Sequence, residues 1–259
     1  MKIILFFCDK IYNKHDMKSK EYLLTVFYAL LVLTFWSVPV SAKPIQVLLL
    51  SGANNHDWRS TTPCLERLCE HYPDIRVTVT NCPDTLNTEM LKGKDVIVSN
   101  WNTFSENTFM WSKESWQALE QFVRNGGGFV TVHAGSCSNY DWDFFLQLTG
   151  GRWGKDTHHG AIEDFEVKVA KEHPITKGIT SFQFRDELWE SVEWSKGVEV
   201  LCTARASSGV DEPVAVAKQM DRGRSFFLVL GHDAEIMQQP MFEKLLIRGI
   251  RWTAGKKIK

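Results

Sequence analysis

The chain has 259 residues, a formal charge of −1, and a composition that is 44% hydrophobic and 24% charged. That balance excludes disorder, collagen-like repeats and coiled coil as the dominant architecture, and a near-zero charge lacks the electrostatic footprint of a nucleic-acid binder. The excess is in tryptophan, with 10 residues. Such large flat side chains fill cores or line pockets for flat ligands such as sugars.

The chain opens with a basic stretch containing Lys18 and Lys20, an apolar run from Leu23 to Val40, and a small-residue exit at Val40-Ser41-Ala42. This is the pattern of a secretory signal peptide cut after Ala42, with Met17 as an alternative start. A membrane anchor of about 18 apolar residues is the competing reading. The absence of basic residues directly after the run favours cleavage, so residues 1–42 are expected to be a leader and residues 43–259 a single secreted or periplasmic domain with no stable anchor. Cys64, Cys69, Cys82, Cys137 and Cys202 remain, an odd number at irregular spacing, which is no disulfide framework and no zinc ribbon. One bridge is compatible with an oxidising compartment, and buried free thiols are expected for most.

Strand and helix patterns then alternate. Ile45–Leu50 reads as a buried strand, Thr61–His71 as a helix capped by Ser60 or Thr61, and Ile75–Thr80 as a strand. Thr85–Leu91 reads as a short helix, Asp95–Ser99 as a strand, and Ser112–Arg124 as an amphipathic helix ended by Gly126-Gly127-Gly128. Phe129–Val132 is a fourth strand, and this alternation implies a parallel sheet with helices on both faces. After Gly150, Phe165–Ala170, Phe182–Glu193, Val198–Arg205, Val214–Gln219 and Ser225–Leu230 read mostly as strands, with a hairpin turn at Asp221–Arg224 and a closing helix at Met241–Thr253.

Ligands of open parallel sheets bind beyond the carboxyl ends of the strands. Three histidines follow such ends: His56 after the first strand, His133 after the fourth and His232 after the last. The stretch Gly127–Gly135 resembles a nucleophile elbow with His133 at the exposed position. Histidine there can act as base, acid or metal ligand, whereas Cys137 would be a nucleophile off the elbow. His158 and His159 sit together in a polar loop, and at most one of them faces the pocket. Asp186-Glu187-Leu188-Trp189 places carboxylates beside an aromatic, where a carboxyl can work as general acid or base, orient a histidine or bind a metal. No compact metal signature, dinucleotide fingerprint or phosphate loop is present.

Taken in order, the motifs resemble the ThuA-like (trehalose-utilisation) family of the class I glutamine amidotransferase-like superfamily. They are Ser51-Gly52 through His56-Asp57-Trp58, Gly126 through Ala134, Glu172 through Ile179, Asp186-Glu187-Leu188-Trp189, Gly223-Arg224 through His232, and Ile250-Arg251-Trp252. The resemblance implies a flavodoxin-like α/β three-layer sandwich with a mostly parallel central sheet and an antiparallel C-terminal extension. It implies that His133 replaces the amidotransferase cysteine, so glutaminase activity is not expected, and it implies a role in carbohydrate metabolism. Asn54-Asn55-His56 carries fewer histidines than relatives have there, and Trp189 stands where tyrosine is commoner.

The expectation is an exported hydrolase or lyase acting on oxidised (3-keto) glycosides, with a non-catalytic sugar-binding module of the same fold as the alternative. His133, Glu187, His56 and His232 are the candidate catalytic residues, with His133 or Glu187 as base. Trp58, Asn100, Trp101, His159, Asp186 and Trp189 are candidate substrate contacts, with Trp153 a further loop tryptophan where a sugar could stack. No cofactor is fixed by the sequence, but His56, His133, His158 and His232 leave a divalent metal open, zinc or a similar ion. The partner is a small carbohydrate, no nucleic acid is expected, and a homo-oligomer is left open.

Overall fold

A computed structural model describes residues 43–104 and 111–258. The expected leader lies outside the described residues. Among the described residues no helix is long and apolar enough to cross a membrane.

The strands are β1 (Ile45–Leu50), β2 (Ile75–Thr80), β3 (Val96–Ser99), β4 (Gly128–Val132), β5 (Gly151–Arg152), β6 (His158–His159), β7 (Glu163–Val169), β8 (Phe182–Asp186), β9 (Trp189–Glu190), β10 (Glu193–Trp194), β11 (Glu199–Arg205), β12 (Asp211–Met220) and β13 (Gly223–Leu228). The helices are α1 (Trp58–Glu70), α2 (Thr88–Leu91), α3 (Lys113–Arg124), α4 (Asp143–Thr149) and α5 (Pro240–Thr253). Among the described residues nine strands form one sheet in the order β2-β1-β3-β4-β13-β12-β11-β7-β8. Pairing from β2 to β13 is parallel, and from β13 to β8 it is antiparallel. Four successive antiparallel steps return β8 to the direction of β13, so both strands end on the same edge of the sheet as β1, β3 and β4.

The apolar runs of the inner strands are buried on both faces, as a covered parallel sheet requires. Val47 and Leu49 pack with Cys64, Leu65 and Leu68 of α1 and with Leu246 and Ile250 of α5. The alternate residues Leu48 and Leu50 pack with Ile97, Phe129, Leu119 and Val123 on the α3 face. Residue alternation along a strand thus sorts one apolar run into two cores.

Three local expectations need correction. Helix α1 starts at Trp58 rather than near Thr61, and its N-cap Asp57 makes no side-chain cap bond. Thr61 reads as a cap in sequence, but it and Thr62 are buried and accept hydrogen bonds from Asn100 Nδ2, at 3.0 and 3.3 Å. The expected strand Phe182–Glu193 is broken into β8, β9 and β10, because Asp186 and Glu187 turn inward and Ser191 takes a positive φ of 57°. Helix α4 was not foreseen; it ends on Gly150 at φ 83°, the left-handed terminus that glycine accepts without strain. Elsewhere the caps follow the sequence, with Ser112 Oγ accepting the Ser115 N–H at 3.1 Å at the start of α3.

Leu119 of α3 is fully buried, whereas Val210 is 53% exposed. Leu119→Ala is expected to lower the unfolding free energy by about 2–5 kcal/mol, and Val210→Ala to change it by less than about 0.5 kcal/mol. Equal effects of the two in denaturant titrations would contradict the core assignment.

Candidate functional site: a buried glutamate among histidines

Four chain segments meet at the carboxyl edge of the sheet. Loop 51–57 follows β1 and carries His56. Strand β4 runs straight into a single 3-10 turn, His133–Ser136, whose first residue has a φ of +44°. That conformation is uncommon for a side-chain-bearing residue and aims His133 over the sheet edge. The turn is packed so closely that a Cβ on Gly135 would stand 2.2 Å from the Ser99 carbonyl oxygen, so only glycine fits there. After β13, Gly231 at φ 113° turns the chain to present His232. Asp186, at the end of β8, fixes this corner by accepting the Gly231 N–H at 2.6 Å and the Glu187 N–H at 2.8 Å.

Glu187 is the centre of the site. Its side chain is only 4% exposed. Oε1 accepts the indole N–H of Trp189 at 2.8 Å and lies 3.2 Å from His133 Nε2. Oε2 lies 3.1 Å from His232 Nδ1 and 3.3 Å from His159 Nδ1. His56 stacks edge-on against both His133 and His232, with ring centroids 4.8 and 4.5 Å apart.

Backbone carbonyls and amides can only donate or accept in one sense, and this decides the histidine tautomers. His133 Nδ1 is 2.6 Å from the Val229 carbonyl oxygen, so Nδ1 carries a hydrogen and donates it. In the neutral ring Nε2 then presents a lone pair to the Glu187 carboxylate, and two acceptors face each other unless a cation lies between. His133 Nε2 and His232 Nδ1 are both buried and, despite their closeness to Glu187, make no directed hydrogen bond. The Asn54 amide donates from Nδ2 to the Asn100 carbonyl at 3.1 Å, which turns its oxygen toward His56; that oxygen accepts the His56 backbone N–H at 2.9 Å and the ring Nδ1–H at 3.1 Å. His56 Nε2 then presents a lone pair to a ligand. Such partners orient metal-binding imidazoles.

Burial, reinforced by the imidazoles of His133 and His232, pushes His56 down to about 3, so it is neutral at physiological pH. Burial alone would favour a protonated Glu187, but the close imidazoles of His133 and His232, with the Trp189 N–H, outweigh it and hold the carboxyl well below its usual range. The same carboxylate raises His232 against the effect of burial. One donor atom each from His56, His133, Glu187 and His232 falls within 4.8 Å of the others. Tetrahedral bonds of about 2.0–2.2 Å to one ion would put neighbouring donors about 3.4 Å apart, so the four side chains could hold a divalent cation by closing in around it. The two orphaned imidazole nitrogens are what such an ion would satisfy.

The ThuA family model, described as trehalose utilisation, matches residues 46–253. The chain belongs to the ThuA family. Family membership supports a carbohydrate-related role. A ThuA-like protein from Parabacteroides merdae superposes with a TM-score of 0.74 at 24% identity, over 84% of this chain and 92% of that one. A ThuA-like protein from Bacteroides uniformis gives 0.64 at 24% identity, over 84% and 94%. A β-galactosidase from Bacillus circulans sp. alkalophilus shares the fold alone, with a TM-score of 0.54 at 15% identity over 83% of this chain and 32% of that one. No curated protein matches. The sheet order and helical layers agree with the flavodoxin-like α/β sandwich that the ThuA resemblance implies.

Set on this ThuA scaffold, the expected site residues divide. His56, His133, Glu187 and His232 come together. His158 does not join them: its side chain is 63% exposed and lies 3.9 Å from Glu190, so Glu187 takes its place among the candidate ligands. Pairing of β6 with β9 puts His159 opposite Trp189, and of the two adjacent histidines His159 alone reaches Glu187. Trp101 is buried against Trp111 in the α3-side core, and Trp189 is buried between His133 and Trp153, so neither offers an open face to a sugar. Asn100 is spent on Thr61 and Thr62, and Asp186 on backbone amides; both position the site rather than face a substrate. Trp58 is half-buried beside His56 and carries the Arg59 guanidinium 4.3 Å over its ring. Trp153 is half-buried, edge-on against His159.

Sequence reasoning passed over two positioning residues. One is Asn54, whose signal was an Asn two positions before a His. The other is Asn102, buried, which donates to the Ala134 carbonyl at 3.0 Å and accepts the Asn55 N–H at 3.2 Å, tying the first loop to the elbow. The Val229 carbonyl that sets the His133 tautomer leaves no trace in side-chain identity.

Among the described residues all five cysteines are free, and only Cys82 is exposed. Burial pushes the Cys137 thiol up to about 11, against bonds from Ser136, Trp153 and Tyr140, which is the opposite of an activated nucleophile. Brief alkylation of the native protein, read by peptide mass spectrometry, is expected to label Cys82 well ahead of Cys64, Cys69, Cys137 and Cys202. Labelling of Cys137 as fast as Cys82 would restore it as a candidate nucleophile.

Proposed function

We propose that this ThuA-family protein is an exported carbohydrate-processing enzyme, a hydrolase or lyase acting on oxidised (3-keto) glycosides at the His/Glu cluster. The observation that carries the reading is the convergence of three imidazoles on one buried carboxylate, with His133 Nε2 and His232 Nδ1 unsatisfied. Export is supported by the leader pattern ending at Ala42.

A ketone at C3 of a sugar acidifies the proton on C2. Loss of the glycosidic substituent then needs a group to accept that proton, a group to stabilise the developing enolate oxygen, and a proton for the leaving oxygen. His56, His133, Glu187 and His232 would hold a divalent cation. Such an ion, when bound, supplies electrostatic stabilisation of an oxyanion. The chain's own groups do the remaining work. Asn54 and the Val229 carbonyl keep the imidazoles of His56 and His133 in the ligating tautomer. The Trp189 N–H holds Glu187, and Asp186 holds the Gly231 corner.

With those four side chains committed, the base moves from His133 or Glu187 to His159 at the mouth. Its Nδ1 is 2.7 Å from the Gly160 carbonyl oxygen, so Nδ1 donates and Nε2 is the nitrogen open to take up a proton and return it to the leaving group. The ring is 41% exposed, which leaves it accessible to a substrate resting against Trp153.

The test is turnover of a 3-keto-glucoside by protein recovered from the extracytoplasmic fraction, whose first residue is expected to be Lys43. His133→Ala is expected to abolish turnover, and His159→Ala to slow it by about 10²–10⁴-fold, with unchanged thermal unfolding for His159→Ala. Undiminished turnover in His133→Ala would overturn the site. Saturable sugar binding without product in the wild type would overturn catalysis in favour of a binding module.

A further inference from the structure

A cavity lies at the edge of the sheet opposite the His/Glu cluster. It has a volume of about 620 Å³ and is lined by Glu172, His173, Pro174, Lys177, Arg224, Trp252, Lys256, Lys257 and Ile258. Arg224 is the second residue of β13 and pairs with Gly128 at the start of β4, so this cavity faces the amino ends of the parallel strands, away from His133 and His232. Its size suits a small ligand.

Charge sets the cavity apart. Lys177, Arg224, Lys256 and Lys257 line it, against the single carboxylate of Glu172, in a chain whose overall charge is −1. Among the described residues neither Lys177, Lys256 nor Lys257 makes an ion pair, although Lys171 and Glu199 pair nearby at 2.8 Å. Three ammonium groups around one concavity repel each other, and Glu172 is the one carboxylate that lines it.

The wall is preorganised. Helix α5 ends in a Schellman arrangement, with Gly255 at φ 68° donating to the Trp252 carbonyl at 3.0 Å and Lys256 donating to the Arg251 carbonyl at 2.9 Å. Ile258 then packs back onto the main core, which pins Lys256 and Lys257 at the rim. Trp252 stands between His173, 4.7 Å away edge-on, and Arg224, whose guanidinium lies 5.1 Å over the ring and donates to the Trp252 carbonyl at 2.9 Å. A bare helix carboxyl end would repel an anion. Here the Arg251 and Trp252 carbonyls are already bonded, and four cations outweigh the residual half-charge.

We propose that this cavity binds an acidic carbohydrate, a sugar ring carrying a phosphate, sulfate or carboxylate. The anionic group would meet the lysines, and the ring would rest against the Trp252 and His173 wall. The carbohydrate part follows from the family's role. The proposal does not depend on the chemistry at Glu187.

Isothermal titration of the full protein with glucose 6-phosphate, glucose 6-sulfate, glucuronate, glucose and inorganic phosphate tests it. At least one of the three acidic sugars is expected to bind saturably, more tightly than inorganic phosphate, with affinity falling as salt rises and with no binding of glucose. The double variant Lys256→Glu/Lys257→Glu, both exposed positions, is expected to weaken that binding about tenfold or more, and Lys177→Glu to act in the same direction. His133→Ala, at the opposite edge, is expected to leave it unchanged. Absence of binding by all three acidic sugars, binding indifferent to the lysine reversals, or inorganic phosphate binding as tightly as the sugars would each overturn the proposal.

Discussion

The burial of the Glu187 carboxylate is the constraint around which the rest of the site is arranged. An ionised carboxylate with 4% of its side chain exposed is costly unless each lone pair is met. One indole N–H meets Oε1, and imidazole nitrogens of His133, His232 and His159 crowd the remainder. In the neutral ring the His133 nitrogen that faces Glu187 presents a lone pair, because the other nitrogen is donating to Val229. A neutral imidazole and a carboxylate facing each other in this way would both be met by a cation placed between them.

The scaffold places this carboxylate by topology. Five parallel strands deliver His56 and His133 from one side and His232 from the centre, and the antiparallel extension brings β8 back in the same direction to deliver Glu187. The price in backbone freedom is a left-handed His133 and a Gly135 too close to Ser99 for any side chain. Asn54, Asn100 and Asn102 then tie the first loop to the elbow and to α1. Asn100 and Asn102 are buried and Asn54 half-buried, and all three are hydrogen-bonded, so they add rigidity to a site whose ring orientations matter.

Much of this was legible beforehand. Strands β1 and β2 have the bounds their apolar patterns imply, because buried strands between turn residues leave little ambiguity. The three histidines were visible because they follow strand ends, and the Glu187 carboxylate because it stands beside a tryptophan in sequence. What failed was inference from residue type without burial. Trp101 and Trp189 looked like sugar platforms and are core, Thr61 looked like a cap and is a buried acceptor, and His158 looked like a ligand and faces away from the cluster. Strand alternation allows one of two adjacent histidines to reach inward, but which one depends on the β6–β9 register, a contact between segments far apart in sequence. Backbone acceptors such as the Val229 carbonyl are invisible to side-chain reasoning altogether.

The central claim is that His56, His133, Glu187 and His232 form one divalent-cation site. The most direct measurement is titration of the chelator-stripped full protein with cobalt(II), followed by its visible d–d spectrum and by calorimetry. The account predicts a single saturable site per chain with an intense tetrahedral-type band, competed by zinc, and loss of both in Glu187→Gln while the stacked fold is kept. No saturable cobalt or zinc binding by the wild-type protein, or binding that survives both Glu187→Gln and His133→Ala, would contradict it.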